Sequence, residues 1–385
     1  MKKVVLHKIG CYPSLTESRA AVEELLSPLG GMKKYVKPGS KVLLKPNVGV
    51  ADLPETGKVT DPKIVLAAAE AAISAGASEV WVAESSVIGI DTGKAFTAAG
   101  YDLLKGVEKI SLIDLKKEKV RQVNIPDGKN MKSVYVFERV FQADVIINMP
   151  KMKTIASSVI SMGMKNLKGL IRDDSKKECH YTNLHEAIAG INKIIKPHLT
   201  IIDGTVGRSL FEPIEHGILL AGEDIVALDT VGAICAGVAP ETVQHLCLAE
   251  TARLGVMNQE KIQVIGEKAE GVKKEYRKSA DDVSAFSGLY PEIAVSAGDA
   301  CSGCVTVLEM VFNNGKAEGW FESWEGKLRL AIGPKADLPD DGLITLCLGN
   351  CLESSGCQNI IKGCPFISVD VRDWLRSNIF LTKNY

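Results

Sequence analysis

Short apolar runs alternate with longer amphipathic stretches through roughly the first 265 residues. Val42-Leu43-Leu44, Val80-Trp81-Val82-Ala83, Val145-Ile146-Ile147 and Leu199-Thr200-Ile201-Ile202 predict strands buried on both faces. Between the first two lies a helical pattern beginning Asp61-Pro62, with Asp61 as N-cap, Pro62 at the first helical position and Gly76 as a stop. Strand, helix and strand in this order make a βαβ unit and imply a parallel sheet covered on both faces. Further helices are expected over roughly 183–194 and 224–236. The charge-rich stretches 116–120 and 273–278 read as solvated surface. From about residue 280 Gly, Ser and Asp become frequent, and a boundary is expected between 280 and 295.

Every predicted strand runs into polar residues. These are Lys45-Pro46-Asn47, Glu84-Ser85-Ser86, the stretch from Asn148 to Thr154, and Asp203-Gly204. In an open α/β sheet, ligands bind beyond the carboxyl ends of the strands. If the strands are parallel, these residues share one rim, which Lys45, Lys151 and Lys153 make cationic and suited to phosphate or carboxylate. Ordinary loop polarity explains any one of them; four coincident ends favour a ligand. The stretch Met162-Gly163-Met164-Lys165-Asn166-Leu167-Lys168-Gly169-Leu170 offers turns whose N–H groups can face an anion, with Lys165 and Lys168 adding charge. Neither a Walker A spacing nor a Gly-x-Gly-x-x-Gly after a strand is present, so neither nucleotide motif has support. His180 and His185 are five apart and do not share a helix face, which argues against a metal pair. His180 alone is suited to acid or base work.

Composition narrows the classes. With a net charge of −1 and 5% aromatics, neither a polyanion-attracting field nor a stacking platform for single strands is expected, so nucleic acid is excluded as a partner. The apolar run after the N-terminal lysines is three residues long, too short for a signal-peptide core. The most apolar stretch, 217–240, carries Glu223, Asp224 and Asp229 and does not suit a bilayer. The expectation is a cytoplasmic protein without membrane contact.

Cysteine placement then redirects the reading toward redox chemistry. Six of the ten cysteines fall in the last 85 residues: Cys301, Cys304, Cys347, Cys351, Cys357 and Cys364. In the cytosol these are rarely disulfides. Cys301-Ser302-Gly303-Cys304 places two thiolates close enough to share a metal, and Cys364 precedes Pro365 as in ferredoxin runs. The expected ligands of a [4Fe-4S] cluster are Cys301, Cys304, Cys351 and Cys364. Cys351 is preferred because Gly349 lets the chain leave a strand, whereas Cys347 lies in an apolar run and is expected in the core. Cys357 is a reserve ligand or a redox-active free thiol. A structural zinc site on the same sulfurs and unligated thiols remain the alternatives, and a full ferredoxin run is absent.

In sequence order, 41–47 (Lys-Val-Leu-Leu-Lys-Pro-Asn), Thr60-Asp61-Pro62, 147–154, 163–169 and Ile202-Asp203-Gly204 resemble the family called domain of unknown function 362 over roughly 35–240. The resemblance implies an iron–sulfur protein, here without a separate two-cluster ferredoxin. The Gly-Cys-Pro-Pro ending common in such proteins appears as Gly363-Cys364-Pro365-Phe366. The α/β part is also similar, at the level of fold, to the nickel-pincer lactate racemase group, which binds a phosphorylated cofactor.

The expected architecture is α/β: a mainly parallel sheet with helices on both faces over 1–285, and a smaller cysteine-rich iron–sulfur domain over 286–385. The expected function is a [4Fe-4S] redox protein, an oxidoreductase if an enzyme, passing single electrons to an anionic small molecule or cofactor near the cluster. An electron-transfer protein such as a ferredoxin is its expected partner. Lys45, Asn47, Lys151, Lys153, Lys165, Asn166 and Lys168 are the anion ligands; Glu84, His180 and Asp203 are the proton-transfer candidates. The alternatives are a dehydratase or isomerase using the cluster as a Lewis acid, and a binding protein with a structural cluster.

Overall fold

The computed structural model describes residues 1–155, 158–209, 212–276, 290–298, 300, 302–320, 327–363 and 366–380. The chain divides into two compact units. The first comprises Met1–Thr154, Ile160–Lys176 and His185–Tyr276; the second comprises Ile155–Val159, Lys177–Leu184 and Arg277–Tyr385.

The first unit is built on a large sheet. Its strands are β1 (Lys2–Lys8), β2 (Lys41–Pro46), β3 (Glu79–Glu84) and β4 (Ile110–Asp114). After a separate hairpin of β5 (Val120–Asn124) and β6 (Ser133–Phe137) come β7 (Val145–Met149), β8 (Lys151–Ile155) and β9 (Val159–Ser161). β10 (Leu199–Ser209), β11 (Glu212–Gly222) and β12 (Ile262–Gly266) complete it. The order is β12-β1-β11-β10-β7-β2-β3-β4, with β8 beside β10. β10, β7, β2, β3 and β4 run parallel, and β11 is antiparallel to both β10 and β1. The fold is therefore α/β with a large, mostly parallel sheet.

All four predicted strands form, and alternation explains their burial. Val42, Leu44, Val80, Val82, Val145 and Ile147 join one core with the helices Leu15–Leu26 and Pro62–Ser74. Leu43 and Ile146, on the opposite face, are buried too. The Asp61 side chain caps its helix by accepting from the Lys63 amide at 2.8 Å, and Gly76 takes φ +112° just past the end. Asp224 likewise caps the helix Ile225–Cys235.

One strand end differs from expectation. β10 does not stop at Asp203-Gly204 but continues to Ser209, with a bulge between Gly204 and Val206. Meanwhile β7 ends before Pro150, and the chain resumes beside β10 as β8, pairing Lys151 with Asp203. Asp203 therefore sits within a strand and faces a lysine one strand away.

The second unit contains its own four-stranded parallel sheet, β13 (Ile293–Ala297), β14 (Leu328–Ile332), β15 (Ile344–Leu348) and β16 (Asn359–Ile361), in sequential order. Helices Ser302–Ala317 and Ser368–Leu375 accompany it. Leu308, Phe312, Leu330, Leu346, Phe366 and Leu375 are among its core residues.

Candidate functional site

Parallel strands bring the predicted rim together in the first unit, and the rim is built on two buried ion pairs. Lys45 Nζ donates to Glu84 Oε2 at 2.8 Å and to the Pro46 carbonyl at 2.6 Å, with both side chains at most 2% exposed. Glu84 also accepts from the Val48 and Ser85 amides, each at 2.8 Å. Burial pushes the Lys45 ammonium below the ordinary lysine range, and Glu84 partly restores it. Gly169 covers this pair: a Cβ there would lie 2.4 Å from Glu84 Oε1 and 2.6 Å from Lys45 Nζ.

The second pair joins β8 to β10. Lys151 Nζ donates to Asp203 Oδ2 at 2.8 Å and to Thr205 Oγ1 at 3.2 Å. Burial alone would raise the Asp203 carboxyl; the Lys151 charge, the Asp61 amide and Thr205 outweigh it and hold the carboxyl below its usual range. Glu84 and Asp203, expected as proton-transfer groups, are thus each locked against a lysine. The third candidate, His180, belongs to the second unit.

Lys153, Lys165 and Lys168 remain partly accessible. Lys153 Nζ donates to Asn47 Oδ1 and to the Lys58 carbonyl. Burial first, then the charges of Lys165, Lys151 and Arg208, lower Lys153 to about 7. Burial and Lys168 lower Lys165 to about 7 as well. Two ammoniums lowered by burial and by neighbouring cations, Lys153 by Lys165 among others and Lys165 by Lys168, mark a region that an anion would relieve.

Three residues of the glycine-rich stretch have structural work. Asn166 Nδ2 donates to the Lys45 carbonyl at 3.0 Å and to Asn148 Oδ1 at 2.8 Å, fixing the end of β2. The N–H groups expected to face an anion do face one, and it is the protein's own. Gly163 and Met164 donate to the Asp229 carboxylate at 2.7 and 2.8 Å. Burial raises Asp229 to about 7 despite these bonds.

Sequence reading missed Lys176 and His245, and considered His185 with His180 rather than with His245. Lys176 Nζ donates to Ser85 Oγ, the Ser85 and Ser86 carbonyls and Asp173, and burial lowers it to about 8. His245 Nδ1 stands 3.4 Å from His185 Nδ1, with the rings stacked. Burial and then neighbouring positive charge, including that of Lys165, hold both histidines below their ordinary value. A lysine outside a strand end and two histidines 60 residues apart carry no local motif that would have joined them.

In the second unit two of the described cysteines, Cys304 and Cys351, follow strand carboxyl ends. Cys304 lies in the first turn of the helix after β13, Cys351 follows β15, and Gly363, which precedes Cys364 in the chain, follows β16. A Cβ built at Gly349 would lie 3.4 Å from Cys351 Sγ and 3.8 Å from Cys304 Sγ, so both sulfurs border one small space. Backbone bonds tie the Cys351 loop to the next strand end: Asn350 N–H donates to the Gly363 carbonyl at 3.1 Å, and Gly363 N–H to Asn350 Oδ1 at 2.7 Å. Cys301 and Cys364 lie outside the described residues. Among those described, no three His, Cys, Asp or Glu side chains gather as a metal shell.

Cys357 is neither a free thiol nor a reserve ligand in this structure. It forms a disulfide with the buried Cys347, ten residues away, closing the loop that carries Cys351. Compartment arguments spoke against such a bond. The fold brings the two Cα atoms within 6.3 Å, a spacing suited to a disulfide.

A profile of the family described as a domain of unknown function, DUF362, matches residues 42–234. The chain belongs to this family. The DUF362 match runs from β2 to the helix after β11, so it contains both buried pairs and Lys153, Lys165 and Lys168, and it ends before Cys301. A thylakoid-associated protein of Synechocystis sp. is 31% identical over 248 residues, spanning 62% of this chain and 75% of that protein. Among solved structures, a Thermotoga maritima protein matches with TM-score 0.39 and 12% identity over 64% of this chain and 61% of its own. The lactate racemase apoprotein of Thermoanaerobacterium thermosaccharolyticum matches with TM-score 0.38 and 13% identity over 86% and 69%. Among the described residues of this DUF362 chain, no helix is long and apolar enough to cross a membrane.

Proposed function

We propose that this DUF362 protein is an iron–sulfur redox protein that also binds an anionic small molecule. The observation that carries the reading is the pair of sulfurs, Cys304 and Cys351, facing one space beside Gly349 at the ends of parallel strands. The donor set suits iron and sulfide, and Cys301 and Cys364 are its proposed further ligands. When bound, a [4Fe-4S] cluster supplies one-electron transfer. The protein's own contribution is to hold Cys304 in an apolar surround that includes Leu308 and Phe312, and to fix the Cys351 loop through Asn350 and Gly363.

Anaerobic purification with iron and sulfide analysis, and EPR before and after dithionite, tests this. The expected result is about four irons per chain and a signal that appears on reduction. Cys304→Ser and Cys351→Ser each lose most of the iron, while Cys247→Ser, in a separate helix of the first unit, keeps it. Zinc without sulfide, or a metal-free folded protein, sinks the proposal. A cluster that survives the loss of one proposed ligand indicates three-sulfur ligation and a Lewis-acid role.

The anion reading has its own test. Binding an anion raises Lys153 and Lys165 above their free values of about 7, so the site takes up protons on binding above that pH. Calorimetry with inorganic phosphate, in buffers of differing ionisation enthalpy, is expected to show proton uptake at about pH 8 and little at about pH 5.5, where both lysines are already charged. Affinity falls as pH rises past 7. Phosphate binding with no proton linkage at pH 8 would place the anion elsewhere.

A further inference from the structure

We propose that Lys165 is the nucleophilic amine of the lysine-rich rim and forms an imine with an anionic carbonyl compound. This rests on the anion reading above and names the chemical class of the ligand.

The geometry singles out Lys165. Lys45 and Lys151 are paired with buried carboxylates, Lys153 donates to Asn47 and the Lys58 carbonyl, and Lys176 donates to Ser85, Ser86 and Asp173. Among the described residues, the Lys165 side-chain amine has no hydrogen-bond partner, yet the residue remains partly accessible. Its backbone is held on both sides: Asp229 clamps the Gly163 and Met164 amides, and Asn166 is tied to Asn148 and β2. A free amine on a fixed turn is what covalent capture of a carbonyl requires.

The surroundings keep that amine reactive. Burial and the adjacent Lys168 leave a large neutral fraction near pH 7, as nucleophilic lysines need. His185 and His245 are neutral there, and the buried His245 Nε2 has no hydrogen-bond partner among the described residues. Lys153 and Lys168 supply the charge that would hold an anionic group on the same molecule.

The step balances without an oxidant or reductant. The neutral Lys165 nitrogen adds to the carbonyl carbon, forming C–N as the C–O π bond breaks. Both nitrogen protons then leave with the carbonyl oxygen as water, giving C=N. Solvent water, which the partial exposure of Lys165 admits, carries the proton from nitrogen to oxygen between the two stages.

Pyridoxal 5′-phosphate, used as a phosphate-bearing aldehyde probe on the full chain, tests this with borohydride trapping and peptide mapping. At pH 7.5 Lys165 is expected to be labelled about tenfold or more faster than exposed lysines such as Lys33. Inorganic phosphate slows the labelling, and Lys165→Arg abolishes it while other sites are unchanged. Saturable, phosphate-competed binding without a bond to Lys165 overturns the imine and leaves the anion site standing. Unselective labelling that phosphate does not affect overturns both.

Discussion

Replacing Lys45 with methionine is expected to destabilise the protein by about 3–5 kcal/mol, the usual cost of leaving one member of a buried ion pair without its partner. The substitution leaves the Glu84 carboxylate with the Val48 and Ser85 amides but without its direct ion partner, in a place with almost no water access. Glu84 cannot turn to solvent, because Gly169 packs its backbone against the pair. The double variant Lys45→Met/Glu84→Gln is expected to recover much of the loss. Glutamine still accepts from Val48, and no buried charge remains. Chemical denaturation of the two single variants and the double variant measures the coupling. A Lys45→Met protein within about 1 kcal/mol of the parent would show that the pair is not a charged, desolvated unit.

Gly349→Ala is expected to strip most of the iron and sulfide from protein purified without oxygen. Gly349 sits at φ +104° and ψ 154°, a region nearly reserved for glycine, so alanine costs about 1–3 kcal/mol in backbone strain alone. The added methyl would also crowd both sulfurs, 3.4 Å from Cys351 Sγ and 3.8 Å from Cys304 Sγ. Gly356→Ala separates the two effects. It places alanine at φ +76° in the same loop, with nothing within 4 Å of the new carbon. Iron per chain in the two variants is the readout, with circular dichroism to confirm folding. Equal iron contents would mean that the space beside Gly349 holds no cluster.

What could be read from the chain was local. Asp61 and Pro62 announced a helix start because capping involves residues two or three apart. The four apolar runs announced strands because burial on both faces needs continuous hydrophobicity. The lysines and acids at the rim were legible as residue types, but their pairing was not. Lys45 meets Glu84 39 residues away, and Lys151 meets Asp203 52 residues away. Asp203 looked like a strand terminus because Gly204 follows it, yet a bulge lets β10 continue. Asp229 looked like an ordinary charge in an apolar helix. Only the fold shows it closing the Gly163 turn from 66 residues away. Cys347 and Cys357 were judged by compartment, which says nothing of how close two side chains come.

The second unit is not a stretch that can be cut out whole. The chain lends it Ile155–Val159 and Lys177–Leu184 long before Arg277, and the later loan is bound there: Lys177 and Tyr181 reach Asp370 at 3.5 and 3.3 Å. Truncation near residue 276 would leave both borrowed pieces stranded, and the excised tail would lack them. Recombination between related genes at that point is expected to inherit the same defect.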